Sequence, residues 1–116
     1  MTIKRLHSGP RMSQAVVHNG VVYLAGQVAK DPDQDVADQT RQVLTGIDAL
    51  LAEAGSDKSR LLSTTIYLAD IGDFQKMNAV WDAWVVAGST PARATVEASL
   101  ATPKYRVEIM VTAATA

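Results

Sequence analysis

Arg93, Thr95 and Glu97 alternate with Ala94, Val96 and Ala98 in the run "GSTPARATVEASL", so an extended segment there carries polar side chains on one face and apolar ones on the other. A guanidinium fixed on a strand is a planar fork of donors that grips a carboxylate through two parallel hydrogen bonds. Pro91 fixes φ at the start of the segment and biases the preceding residue toward extended geometry. Glu108 lies in "YRVEIMVTA", where Arg106, Glu108, Met110 and Thr112 share one face and Val107, Ile109 and Val111 the other. If this segment pairs antiparallel with residues 92–99, Glu108 comes near Arg93 or Thr95 across the ladder. A carboxylate beside a carboxylate-binding arginine is placed to act as general base toward a water. Residue types alone favour a plainer use: a solvated strand face, or an ion pair of Arg93 with Glu97 or Glu108 contributing under about 1 kcal/mol.

Other candidates are fewer than the exclusions. Asn78 interrupts the apolar stripe "FQKMNAVWDAW", where a carboxamide either satisfies a loop carbonyl or lines a pocket. Trp81 and Trp84 on the same stripe read as core and interface. Cysteine is absent, which removes disulfides, thiolate nucleophiles and thiolate-held metals. Only His7 and His18 supply imidazoles, with no H-E-x-x-H spacing, so no metal site is expected. No G-x-G-x-x-G or P-loop run is present, which disfavours dinucleotide and triphosphate binding. Ser63 and Ser99 have no histidine near them in sequence to activate either hydroxyl.

Eleven Lys and Arg against twelve Asp and Glu give a formal charge of −1, not the basic footprint of a nucleic-acid binder. The opening "MTIKRLHSGP" has no apolar run after its basic residues, and nothing reaches the ~20 apolar residues of a membrane span. A soluble cytoplasmic protein is expected. At 116 residues and 47% apolar, residues 1–116 are expected to form a single domain.

The elements that must position these side chains are legible from periodicity. "AVVHNGVVYLAGQV" predicts a hairpin, Gln14 to His18 and Val21 to Gly26, around Asn19-Gly20, a pair suited to a type I′ turn. "TIKRL" is a candidate extra strand. Val36, Val43, Leu44, Ile47, Leu50 and Leu51 recur at helical spacing between a capping Asp35 and a terminating Gly55. "SRLLSTTIYLAD" alternates as a strand with Leu62, Thr64, Ile66 and Leu68 on one side. A second helix with Phe74, Met77, Trp81, Trp84 and Val85 on one stripe is expected between Asp73 as cap and Gly88 as terminator. The Arg93 strand and a last strand from about Tyr105 to Ala113 close the order β-β-β-α-β-α-β-β. That order predicts an α+β sandwich, a mixed sheet with two helices on one face. The other face must meet solvent or another subunit.

Four stretches, "GPRMSQAVVHNGVVYLAGQVA", "DQTRQVLTGIDALLAEAG", "IYLADIGDFQKMNAVWDAW" and "TPARATVEASLATPKYRVEI", together resemble the reactive intermediate deaminase (Rid, YjgF-like) family over nearly the whole chain. The P-A-R-x-T-V-E segment with its closing V-E-I strand is the most specific part. The resemblance implies a chorismate-mutase-like α+β fold and a homotrimer with helices outside and three clefts between neighbours. It implies a deaminase of the 2-iminobutanoate/2-iminopropanoate type, which hydrolyses 2-imino acids and their enamines to 2-keto acids and ammonium without a cofactor. By position, Arg93 is similar to the family's carboxylate-binding arginine, Glu108 to its water-orienting glutamate and Asn78 to its cleft asparagine. Thr95 falls where many members have cysteine.

Two positions depart from the family pattern. Many members carry tyrosine after the Gly-Pro of the early loop, whereas Gly9-Pro10 leads here into Arg11-Met12-Ser13 with one extra residue, and Met12 has no hydroxyl. The small polar residue often found before the Gly-Gln of the third strand is Ala25. Both changes make the expected substrate-binding wall more apolar. A non-catalytic, small-carboxylate-binding or regulatory trimer of the same fold is therefore the alternative expectation. A ribonuclease or translation-inhibitor role, also attached to relatives, finds little support in the charge.

Overall fold

The Asn19-Gly20 turn is where the sheet begins to take shape. Both residues have positive φ, 51° and 76°, as a type I′ turn requires, and His18 pairs directly with Val21. The computed structural model, which describes residues 2–116, places β1 at Lys4–Ser8, β2 at Ser13–His18 and β3 at Val21–Leu24. "TIKRL" thus does contribute a strand, antiparallel to β2.

Helix α1 spans Val36–Glu53, and the Asp35 carboxylate accepts from the Asp38 amide at 2.9 Å, the expected N-cap. Gly55 follows its end with φ 82°, the left-handed conformation that costs glycine nothing. A 3₁₀ turn at Lys58–Arg60 leads into β4 at Leu61–Leu68. The expected face of β4 is corrected at one residue. A bulge between Leu61 and Ser63 turns Leu62 outward and buries Leu61, while Thr64, Ile66 and Leu68 face the core as expected.

Helix α2 spans Phe74–Trp84, ending at a Val85 cap before Gly88. Asp73 occupies the cap position but makes no capping bond. Its carboxylate, 6% exposed as a residue, instead accepts from Arg106 Nη2 at 2.5 Å. An arginine supplies a stronger, charge-assisted partner than a helix-end amide, so the ion pair wins. The chain closes with β5 at Ala92–Glu97 and β6 at Val107–Ala114.

All six strands form one sheet in the order β1-β2-β3-β6-β4-β5, with both helices packed on one face. Pairing is antiparallel except between β4 and β5. The core lies between sheet and helices, built from Ile47, Leu51, Met77, Ile66, Ile109 and their neighbours. Gln39 crosses this layer fully buried. Its Nε2 lies 3.0 Å from the carbonyl oxygens of Pro32, Gln34 and Lys104, which share its two N–H groups, and its Oε1 accepts from the Arg106 amide, so one carboxamide ties the loop before α1 to the start of β6. No helix among the described residues is long and apolar enough to cross a membrane.

Candidate active site: two half-sites on opposite faces

Strand β5 pairs with β4, not with β6, and this corrects the expected geometry. Arg93 stands beside Thr64, Thr95 beside Ile66 and Glu97 beside Leu68. Their partners on β4 are core residues, so the polar face of β5 looks toward α2 and its apolar face looks away from the helices. Glu108 pairs with Tyr67, whose side chain points to the uncovered face. Arg93 and Glu108 are therefore separated by a whole strand and three residues of register, about 14 Å of sheet, and they face opposite ways. No cross-ladder contact between them exists.

The guanidinium of Arg93 lies 5.4 Å from the centroid of Trp81 and 5.9 Å from that of Phe74. Phe74, Asn78 and Trp81 fall at i, i+4 and i+7 of α2, one stripe of the helix aimed at β5. Cation–π contacts of this kind contribute roughly 0.5–2 kcal/mol each and restrict the side chain. Neither carboxylate considered for Arg93 pairs with it. Glu97 accepts from the Ile71 amide at 2.9 Å, and no salt bridge involves Arg93 among the described residues. The fork is held by rings, with its donors uncommitted.

Around it lie the side-chain polar atoms that are closed to solvent and without a hydrogen-bond partner among the described residues: Thr64 Oγ1, Thr95 Oγ1 and Asn78 Oδ1. Leaving such an atom unpaired costs about 1–3 kcal/mol. Arg93, Thr95 and Asn78 are thus brought together as one half-site. Trp81 and Phe74 border it as well, while Trp81 is also a core residue with Phe74 packed against that core, in keeping with the core-and-interface reading of the sequence. Their helical spacing with Asn78 was the available signal of that border position.

The second half-site is on the uncovered face. Gly26 lies against Glu108 so closely that a Cβ built on it would sit 2.9 Å from Glu108 Cδ, inside the carboxylate's space. Ala25 adjoins it, its amide donating to the Gln14 carbonyl, and Gln27 exchanges backbone hydrogen bonds with Ile109. Gln27 Nε2 also donates to Gln14 Oε1 at 3.0 Å. Met12 sits in the β1–β2 loop, half exposed. The same face exposes Tyr23, Val96 and Met110. Gly26 was not singled out from sequence, since a glycine after a strand has many uses.

A groove of about 640 Å³ between α1 and α2, lined by Leu44, Lys76 and Trp84 among others, contains none of these residues. A cleft completed by another copy would not register as a concavity of one chain, so the two half-sites carry more chemical information than that groove.

The family model described as Endoribonuclease L-PSP matches residues 2–115. A RutC family protein, YoaB of Escherichia coli K12, is 50% identical over 114 residues, covering 98% of this chain and 99% of its own. A YjgF-family protein of Neisseria meningitidis has a solved structure that superposes with a TM-score of 0.97 at 52% identity, covering 100% of this chain and 97% of that one. A member of the conserved Rid protein family from Yersinia pestis gives a TM-score of 0.84 at 36% identity, covering 92% and 90%. Likeness of sequence and of sheet across the full length makes this chain a member of the YjgF/Rid family.

Proposed function

We propose that the protein hydrolyses reactive 2-imino acids, and the enamines in equilibrium with them, to 2-keto acids and ammonium at clefts between copies of a homotrimer. The observation that carries this reading is the Arg93 guanidinium, stacked on Trp81 and Phe74 with no salt-bridge partner among the described residues. A cation oriented before its ligand arrives loses little freedom on binding. Membership of the YjgF/Rid family is consistent with the substrate class that the resemblance implies.

Arg93 holds the carboxylate through both arms of its fork. Strand β5 is the last strand of the sheet, so its outer backbone edge is free to hydrogen-bond the imine nitrogen. Glu108 of a neighbouring copy takes a proton from water as the oxygen bonds to the imine carbon. The proton then passes to nitrogen, the C–N bond breaks, and the leaving ammonia takes the proton of the new hydroxyl, which collapses to the keto group, so that ammonium departs. A protonated imine is electrophilic enough that no cofactor takes part.

Two features support the pairing of copies. The half-sites face opposite ways in one chain, and the Glu108 face exposes apolar side chains that no helix covers. The alternative, a carboxylate-binding trimer without turnover, is favoured by Met12 and Ala25, neither of which offers a hydroxyl. The ribonuclease in the family model's description would need a cationic surface for phosphates, and a net charge of −1 gives it little support.

The test is ammonium release from 2-iminobutanoate generated in situ by an amino-acid oxidase, with Arg93→Ala as the blank. Acceleration by the parent that vanishes in the blank is expected. Equal rates in the two refute the deaminase reading. Carboxylate binding without acceleration selects the alternative.

A further inference from the structure

We infer that Thr64, on β4, is a further substrate-binding residue, whose hydroxyl takes its hydrogen bond only when a carboxylate ligand sits on Arg93. The inference rests on the carboxylate-binding role proposed for Arg93. Thr64 is the Cα partner of Arg93 across the β4–β5 ladder and points to the same face, and it is 3% exposed. Its Oγ1 has no partner among the described residues.

Several other hydroxyls among the described residues have partners. Thr40, equally buried in α1, donates to the Val36 carbonyl at 2.7 Å. Ser63, one position before Thr64, pairs with Thr112 at 2.6 Å on the other face of the sheet. Ser56 donates to the Ala114 carbonyl at 2.5 Å. The buried orphans instead gather at one place. Thr64 flanks Arg93 across the ladder, Thr95 lies two residues along the same strand, and Asn78 stands on the helix stripe that carries the two rings.

Packing gives no reason for a threonine at position 64. Valine has the same shape, fills the same space beside Ile66 and Val111, and leaves no hydroxyl stranded. A stranded polar group kept in a well-packed wall beside an uncommitted cation is what a binding site requires and a core does not.

The chemistry of the set defines the ligand. Two hydroxyls and a guanidinium donate toward an anionic oxygen, whereas Asn78 Oδ1 only accepts and so wants an N–H or O–H. A small carboxylate with a neighbouring N–H meets both demands. Thr64 Oγ1 is closed to bulk solvent, so the side chains over it must shift for it to meet the carboxylate on Arg93, directly or through one ordered water.

Thr64→Val and Thr64→Ser are compared with the parent by thermal unfolding, by calorimetric binding of 2-oxobutanoate, and by kcat and KM on 2-iminobutanoate. Thr64→Val is expected to melt at or above the parental temperature yet bind 2-oxobutanoate about tenfold more weakly, with kcat/KM reduced to match. Thr64→Ser, which keeps the hydroxyl, is expected to stay within about threefold of the parent. Parental binding by Thr64→Val overturns the inference, as does a lowered melting temperature in that variant, which would give the hydroxyl a structural partner. Equal losses in the valine and serine variants would also overturn it, by tracing the effect to volume. If the parent releases no ammonium, the deaminase reading fails alone, and the binding comparison still decides the role of Thr64.

Discussion

Arg93 and Glu108 occupy opposite faces of one sheet, with β4 between their strands. A single chain cannot bring both to one small molecule, so a reaction that uses both needs two copies. This is tested by complementation. Arg93→Ala and Glu108→Gln, each expected to be inactive alone, are unfolded, mixed in equal amounts and refolded together. If each cleft takes its arginine from one copy and its glutamate from the next, random assortment restores about a quarter of parental activity. A mixture as dead as its components would place the two residues in the same chain's site, or only one of them in any site.

Arg93→Lys separates charge from shape. Lysine keeps the positive charge but presents a point donor and lacks the planar group that stacks on Trp81 and Phe74. A loss of at least about tenfold in kcat/KM on 2-iminobutanoate is expected, given a charge-assisted bond of ~1.5–3 kcal/mol, with the oligomer intact by light scattering. A lysine variant at parental efficiency would mean that the fork geometry is unused.

How far the sequence carried these conclusions depends on the range of the interaction. The Asn19-Gly20 turn, the Asp35 cap and the in–out alternation of Val107, Ile109 and Val111 are local, and each appears where periodicity and turn chemistry put it. The partner of β5 is not local. Residues 92–97 alternate equally well beside β4 or β6, and only the assembled sheet decides. The same holds for Asp73, whose cap role is displaced by Arg106, 33 residues away. The inward direction of Arg93 and Thr95 runs against the rule that polar faces meet water, and such local conflict is expected where a site is built.

Gly26 gives a prediction that distinguishes site from scaffold. A methyl group there would intrude on the Glu108 carboxylate, the far end of a flexible side chain that can swing away. Gly26→Ala is expected to change the melting temperature little while lowering kcat at least about tenfold, the range for a displaced general base. A variant with full kcat would mean that the observed carboxylate position is not the one used.

The Asp73–Arg106 pair is a matter of stability. Arg106→Gln leaves a carboxylate that is 6% exposed as a residue without its charged partner. Arg106 is itself about two-fifths exposed, so water screens part of the loss, and a cost of roughly 1–3 kcal/mol is expected. Denaturant unfolding measures it directly. A midpoint unchanged from the parent would show that the pair contributes nothing to the fold.

The uncovered sheet face supplies the last prediction. Val96 and Met110 are 42% and 40% exposed there, beside Tyr23, on a surface that two helices leave bare. If that face packs against other copies, Met110 is desolvated in the assembly, and a carboxylate in its place carries an unpaired charge into an apolar interface. Met110→Glu is expected to shift light-scattering mass from that of the proposed trimer toward the 12.4 kDa chain while retaining the folded chain's far-ultraviolet dichroism. Since Glu108 and Arg93 would then never meet, activity should fall with the loss of trimer and return on raising protein concentration. A Met110→Glu protein that stays trimeric would move the contact surface off this face and leave the completion of the site without its physical basis.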